Sequence, residues 1–285
     1  MKFNIYYVVI FLISSFFSNN LVAKKCQKED FVNFVSDVVG CIAINIHSGI
    51  KFDENVKIDE NIKKKKLVIF IHGDQVETKN IYFDIFASEF VHPDILLISI
   101  TRPGWTNIKD HKSEGKLNIS NGDNYIPKED VDPIYRVIKK LKKKFKTLET
   151  LVVGHSGGAA ITGILYGRFT KLVDSAILIS CPCIVPSWRR DYYNKIFKKT
   201  NKLFCMPKFK SHSPHQYVKK ISSNLNIYIL VGNKDKNTLP IYSQEYQVLL
   251  KKNNKNSKLY FFDNDHLSIL KNEKVTKKIS EIIHT

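Results

Sequence analysis

Seven short apolar runs, rich in β-branched residues, recur along the chain at 41–46, 67–71, 95–100, 150–153, 175–179, 226–231 and 258–262. The last five lack the in–out alternation of a strand with one wet face, so each is expected to be covered on both sides, as in a parallel sheet. Stretches with the helical period lie between them. Val131, Ile134, Ile138, Leu141 and Phe145 stand at gaps of 3, 4, 3 and 4, with Asp132 and Pro133 suited to a helix start. Val275, Ile279 and Ile282 mark another helix near the C-terminus. Strands alternating with helices predict an α/β fold, mainly parallel, with helices on both faces of the sheet. In such folds the reactive residues collect at the carboxyl ends of the strands.

One strand end stands out. The run Leu151-Val152-Val153 leads into Gly154-His155-Ser156-Gly157-Gly158, and small residues follow at Ala159, Ala160 and Gly163. A serine lifted on a tight strand-to-helix turn adopts strained dihedrals, and the positions two before and two after it crowd that turn. Glycine at 154 and 158 relieves the crowding. The turn then presents the Ser156 hydroxyl above the sheet edge, with the positive end of a helix behind it. Ser156 is therefore the expected nucleophile.

A serine hydroxyl needs a base to take its proton, and the base needs an acid to hold its tautomer. Two later strand ends supply them: Asp235 in Gly232-Asn233-Lys234-Asp235, and His266 in Asp263-Asn264-Asp265-His266. The order Ser156, Asp235, His266 follows successive strands. Asp263 and Asp265 compete for the acid role, but a residue adjacent to His266 projects poorly toward its ring. Upstream, the strand at 67–71 ends in His72-Gly73-Asp74. The backbone N–H groups of Asp74 and Gly157 are expected to form the oxyanion hole, with His72 a structural residue ordering the loop.

Between the strands at 175 and 226 the rhythm breaks. The segment 184–224 is rich in aromatic residues, and it follows a strand's carboxyl end. It is expected to form a helical lid. Trp188, Tyr192, Tyr193 and Phe204 would wall an apolar pocket, Arg189 and Arg190 would attract an acidic group, and the loop Arg102-Pro103-Gly104-Trp105 would complete the lining.

With these pieces in place, the chain from about Leu67 onward resembles the α/β-hydrolase superfamily. The His-Gly loop, nucleophile elbow, acid loop and histidine loop are all represented. The stretch from Ser213-Pro214 through Gly232-Asn233-Lys234-Asp235 is similar to the catalytic domains of prolyl-oligopeptidase-type and related esterase members. The resemblance implies hydrolysis of an ester or amide through an acyl-enzyme, with no cofactor. Asp74 departs from the pattern, because family members often carry a small or apolar residue there. With no length of chain ahead of this domain for a propeller, the peptide gating of the oligopeptidases is not expected.

The expected activity is ester cleavage by an exported serine hydrolase. A peptidase or amidase is the alternative, and a binding protein on the same scaffold is an alternative of another class. Export is read from the N-terminus: Met1-Lys2, an apolar run from Ile5 to Phe17, then Leu21-Val22-Ala23 before Lys24. That is the pattern of a signal peptide over 1–23, leaving a single domain over 24–285 in the periplasm or secreted; an uncleaved membrane anchor is the alternative. In an oxidising compartment Cys26 and Cys41 would close a short loop, and Cys205 would pair with Cys181 or Cys183. Cys181-Pro182-Cys183 has no second pair to make a metal site. The net charge of +18 is spread over lysines along the whole chain rather than gathered in one segment. A solvated surface or peripheral contact with an anionic membrane is expected, and nucleic acid is not. Oligomeric state is not legible.

Overall fold

The computed structural model describes residues 26–47, 66–75, 78–117, 126–147, 149–198 and 211–285. The strands are β1 (Phe34–Asp37), β2 (Gly40–His47), β3 (Lys66–Ile71), β4 (Ile95–Ile100), β5 (Glu149–His155), β6 (Ser175–Ile179), β7 (Asn226–Gly232) and β8 (Asn256–Phe262). The helices are α1 (Tyr82–Ser88), α2 (Lys128–Phe145), α3 (Gly157–Arg168), α4 (Val185–Lys198), α5 (Pro240–Lys252) and α6 (Glu273–His284). All eight strands join one sheet in the order β1-β2-β4-β3-β5-β6-β7-β8. The pairs β1–β2 and β2–β4 are antiparallel, and every other pair is parallel.

Helices cover both faces because the strands are apolar on both. Ile69, Val152, Ala176 and Ile229 face a core completed by α2, α3 and α5. Val68, Leu151, Ile177 and Leu230 face the other, completed by α1 and α6. In α3 every residue from Gly157 to Gly167 is buried, so this helix is apolar all round, as a helix enclosed by protein must be. Among the described residues no helix is long and apolar enough to cross a membrane.

Four expectations change. The helix α2 begins at Lys128, so Asp132 and Pro133 lie inside it rather than at its start. The strand β1 has no counterpart in the sequence reading: with only four residues, two of them half-buried, it has little apolar signal, and its hairpin with β2 holds it. The run at 258–262 is not covered on both sides. As the last strand in the order, β8 pairs only with β7, and its residues alternate toward solvent, leaving Phe261 44% exposed. Cys26 and Cys41 are bonded as expected, but Cys181 pairs with Cys183. The turn after β6 brings their Cα atoms to 5.1 Å, within bridging distance, so neither needs Cys205, which lies outside the described residues.

The segment 184–224 is anchored at both ends. Val185 and Trp188 of α4 belong to the core beneath α3, and a 3-10 turn, Pro214–Lys220, packs against α3 with Val218 buried. Residues 199–210, Phe204 among them, lie outside the described residues, as do residues 1–25 with the expected signal peptide.

Candidate active site

The strands β3, β5, β6, β7 and β8 run parallel, so their carboxyl ends share one edge of the sheet. Ser156 sits between β5 and α3 with φ 53° and ψ −120°. A non-glycine residue rarely adopts this backbone, which costs of order 1–3 kcal/mol and must be held by its surroundings. The holding contacts are visible. The Ser156 N–H donates to Ile179 O at 2.9 Å, and Ser156 O accepts from Ala160 N–H at 3.1 Å. A Cβ on Gly158 would stand 2.1 Å from Ile71 O, and one on Gly154 would stand 2.4 Å from Gly158 O. Glycine is thus required at both positions by close backbone approach. The Ser156 side chain has no hydrogen-bond partner among the described residues, although the residue is only 7% exposed.

Beyond β7, the Asp235 carboxylate is fully enclosed and its two oxygens are differently used. Oδ1 accepts from the N–H groups of Asn237 and Thr238 at 2.9 and 2.8 Å. Oδ2 lies 2.7 Å from the Thr238 hydroxyl and 2.8 Å from His266 Nδ1. Burial pushes this carboxyl up. The hydrogen bond and charge of His266, together with Thr238, outweigh burial and hold it below the ordinary carboxylate value. An ionised carboxylate only accepts, so Nδ1 of His266 carries the hydrogen, and it is Nε2 that offers a lone pair whenever the ring is neutral. The rival carboxylates are occupied elsewhere. Asp265 accepts from the N–H groups of Leu267 and Ser268, and Asp263 pairs with Lys234 at 2.9 Å.

On the far side of Ser156, the loop after β3 is fixed residue by residue. His72 Nε2 accepts from Arg102 N–H at 3.0 Å, so Nδ1 carries the hydrogen and donates to Gly73 O at 2.8 Å. Burial, then the Arg102 charge, pushes His72 down to about 3, which keeps the ring neutral. Because the peptide is planar and trans, holding Gly73 C=O against His72 turns the Asp74 N–H the opposite way. Neither that N–H nor that of Gly157 has an acceptor among the described residues. Asp74 does not leave a loose carboxylate at the site, because Oδ1 is bound by Arg102 Nη1 at 2.5 Å while Nη2 binds Asp130 at 2.8 Å.

A cleft of about 1240 Å³ opens beside His266, with Trp188, Tyr192, Tyr242, Leu239 and Leu267 among its walls. Trp188 and Tyr192 are stacked, with ring centroids 5.4 Å apart. Tyr193 is not among the lining residues; its hydroxyl accepts from Arg189 Nη2 at 2.9 Å. Arg189 is itself fully buried, so it does not present a charge to solvent as expected. The side chains of Arg102 and Trp105 are also buried, with Trp105 edge-on to His72 at 5.1 Å, so they support the loop after β3 rather than line this cleft.

No protein-family model and no curated protein sequence matches the chain. Solved structures do. The Pyrococcus furiosus esterase Pf2001 is 18% identical with a TM-score of 0.53, over 79% of this chain and 84% of its own. Est1E from Butyrivibrio proteoclasticus is 15% identical with a TM-score of 0.54, over 86% and 93%. An acylaminoacyl peptidase is 13% identical with a TM-score of 0.53, over 89% of this chain but only 41% of its own. The chain has the α/β-hydrolase fold.

On this α/β-hydrolase fold, three residues given no role by sequence reading turn out to be attached to the site, Tyr82, His155 and Thr238, while Arg102, expected in the pocket lining, instead holds Asp74. Thr238 carried a faint signal, three residues after Asp235 in a turn, where side chains commonly cap a carboxylate. Tyr82 carried none, because its contacts to Gly73 and His155 span 9 and 73 residues. Among the described residues no group of three or more His, Cys, Asp or Glu side chains is arranged to hold a metal ion.

Proposed function

We propose that this protein is a serine hydrolase that cleaves a carboxylic ester through an acyl-enzyme. Ser156 is the nucleophile, His266 the base, Asp235 its acid partner, and the N–H groups of Asp74 and Gly157 the oxyanion hole. The observation that carries this reading is the 2.8 Å Asp235–His266 hydrogen bond, on a loop whose His266 backbone oxygen is bonded by the ring of His155, the residue next to the strained elbow serine. As Ser156 Oγ bonds to the ester carbonyl carbon, its proton passes to His266 Nε2 and the carbonyl oxygen becomes an oxyanion held by the two N–H groups. Collapse breaks the carbon–oxygen bond to the leaving alcohol, which takes the proton from His266. Water then attacks the acyl-enzyme by the same route and releases the acid and free Ser156.

The esterases among the similar structures favour an ester substrate over the amide that the peptidase name suggests. The cleft beside His266, with α4 as one wall of a lid, offers the rings of Trp188, Tyr192 and Tyr242 to an apolar part of that substrate, among the lysines Lys195, Lys234, Lys236 and Lys271. We further propose that the chain is exported, a reading supported by the Cys26–Cys41 and Cys181–Cys183 disulfides, which persist in oxidising compartments. A fluorophosphonate probe tests the mechanism: it should label Ser156, and Ser156→Ala should abolish labelling. Chromogenic esters of rising chain length, run beside aminoacyl amides, test the substrate class. Labelling without turnover of either series would favour a binding protein on a hydrolase scaffold.

A further inference from the structure

Three hydrogen bonds cross beneath Ser156 and join the loops on its two sides. His155 Nε2 lies 3.0 Å from the backbone oxygen of His266. The Tyr82 hydroxyl lies 2.9 Å from His155 Nδ1, and Gly73 N–H donates to the same hydroxyl at 2.9 Å. One proton arrangement satisfies all three. A carbonyl oxygen cannot donate, so His155 Nε2 carries the hydrogen. Burial, then the charge of His266, pushes His155 down to about 3, so the ring is neutral and Nδ1 is a bare acceptor. Tyr82 therefore gives its only hydrogen to Nδ1, and its oxygen is left to accept from Gly73. Desolvation raises the Tyr82 phenol above its ordinary range, so that hydrogen stays in place.

We propose that Tyr82 and His155 are positioning residues that hold the oxyanion loop and the base loop in register across Ser156. At one end the chain of bonds fixes Gly73, whose next peptide carries the Asp74 N–H. At the other it fixes the backbone of His266, and through it the position of the imidazole. The ring centroids of His155 and His266 are 4.9 Å apart, so a shift of one is felt by the other. Proton transfer and oxyanion donation both require heavy-atom separations near 3 Å in the transition state, so slack in either loop lowers turnover more than it weakens substrate binding. The two residues sit on different elements, α1 and the end of β5, and neither lines the cleft beside His266. The inference rests on the serine-hydrolase reading.

The test is a double-mutant cycle on the full chain, with Tyr82→Phe, His155→Gln and the pair. Tyr82→Phe removes only the hydroxyl and keeps the ring beside Phe83 and His155. In His155→Gln the amide nitrogen reaches toward the His266 oxygen while the acceptor for Tyr82 is lost. Each single variant should lower kcat by roughly 10- to 100-fold with KM within about twofold, when rates are referred to folded protein. The double variant should lose no more than the worse single, because either change breaks the same chain. Fluorophosphonate labelling at Ser156 should slow in parallel. Wild-type kcat in Tyr82→Phe, a change confined to KM, or losses that multiply in the double variant would each overturn the proposal. Should His155→Gln not fold, Tyr82→Phe decides alone. Failure of the wild-type protein to label at Ser156 would instead overturn the hydrolase reading beneath it.

Discussion

Arg102 reaches Asp74 with Nη1 at 2.5 Å, and this contact decides what a carboxylate is doing in the loop after β3. Both partners are largely enclosed, with side-chain exposures of 1% and 13%. Burial works against the Arg102 charge, but the charges of Asp74 and Asp130 outweigh it and raise its pKa further. The negative charge of Asp74 is thus paired inside the protein through Oδ1, and its backbone N–H has no acceptor among the described residues.

From that pairing, Asp74→Asn should keep activity within a few-fold of wild type, since the backbone donor is unchanged. Arg102→Met is expected to be far more damaging, because it strands the buried Asp130 carboxylate. Removing one partner of a buried pair costs about 3–5 kcal/mol. Urea denaturation of the two variants checks this, and equal stability for both would contradict it.

Asp235 and Asp265 separate cleanly in the structure, and so should their variants. Asp235→Asn should lower kcat by roughly 10⁴-fold by inverting the tautomer of His266. Asp265→Asn, whose carboxylate only accepts from Leu267 and Ser268 N–H groups, should stay near wild type in ester hydrolysis. The reverse ranking would reassign the acid.

Stability should fall as pH drops from neutrality. His72 and His155 have native values of about 3 against an ordinary 6.5. Below 6.5 the unfolded chain therefore binds protons that the native protein refuses. Each histidine contributes a slope approaching about 1.4 kcal/mol per pH unit, with stability rising as pH rises between 3 and 6.5. Asp235 acts in the same direction: its value is depressed in the native state, so its contribution is present above the ordinary carboxylate value and lost on acidification. Urea midpoints between pH 7.5 and 5 measure the histidine part, since the Asp235 contribution changes only at lower pH, and His155→Gln should flatten the curve by one histidine's share.

The cleft is best probed at Tyr192. Trp188 is 4% exposed and its indole N–H donates to Asn237 O at 2.8 Å, so its removal would disturb the core as well as the wall. Tyr192 is only half-buried and lines the same cleft. Tyr192→Ala should weaken binding of long-chain esters by about 1–2 kcal/mol, or roughly five- to thirtyfold in KM, and leave a short ester unchanged. An equal effect on both esters would move the pocket elsewhere.

What could be read from the chain was what short stretches of backbone decide for themselves. The apolar runs announced β2 to β8, the last five by a lack of alternation that reads as burial on two faces, although one of these, β8, is an edge strand. Gly154 and Gly158 announced the elbow because no other residue fits where backbones approach this closely. Asp235 was preferable to Asp265 on local grounds, since neighbouring side chains diverge. Those constraints act over a few residues, so the sequence by itself carries them.

Tertiary structure decided the rest. Nothing near Asp74 in the chain shows that Arg102 pairs with it, and nothing near Cys181 chooses Cys183 over Cys205. Tyr82 and His155 meet across 73 residues, and His155 meets the His266 backbone across 111. Such contacts depend on which strand lies beside which in the sheet and on the direction each side chain takes in a filled core. Hydrogen bonds of this kind reach only about 3 Å, so they exist only once packing has brought distant segments to that distance.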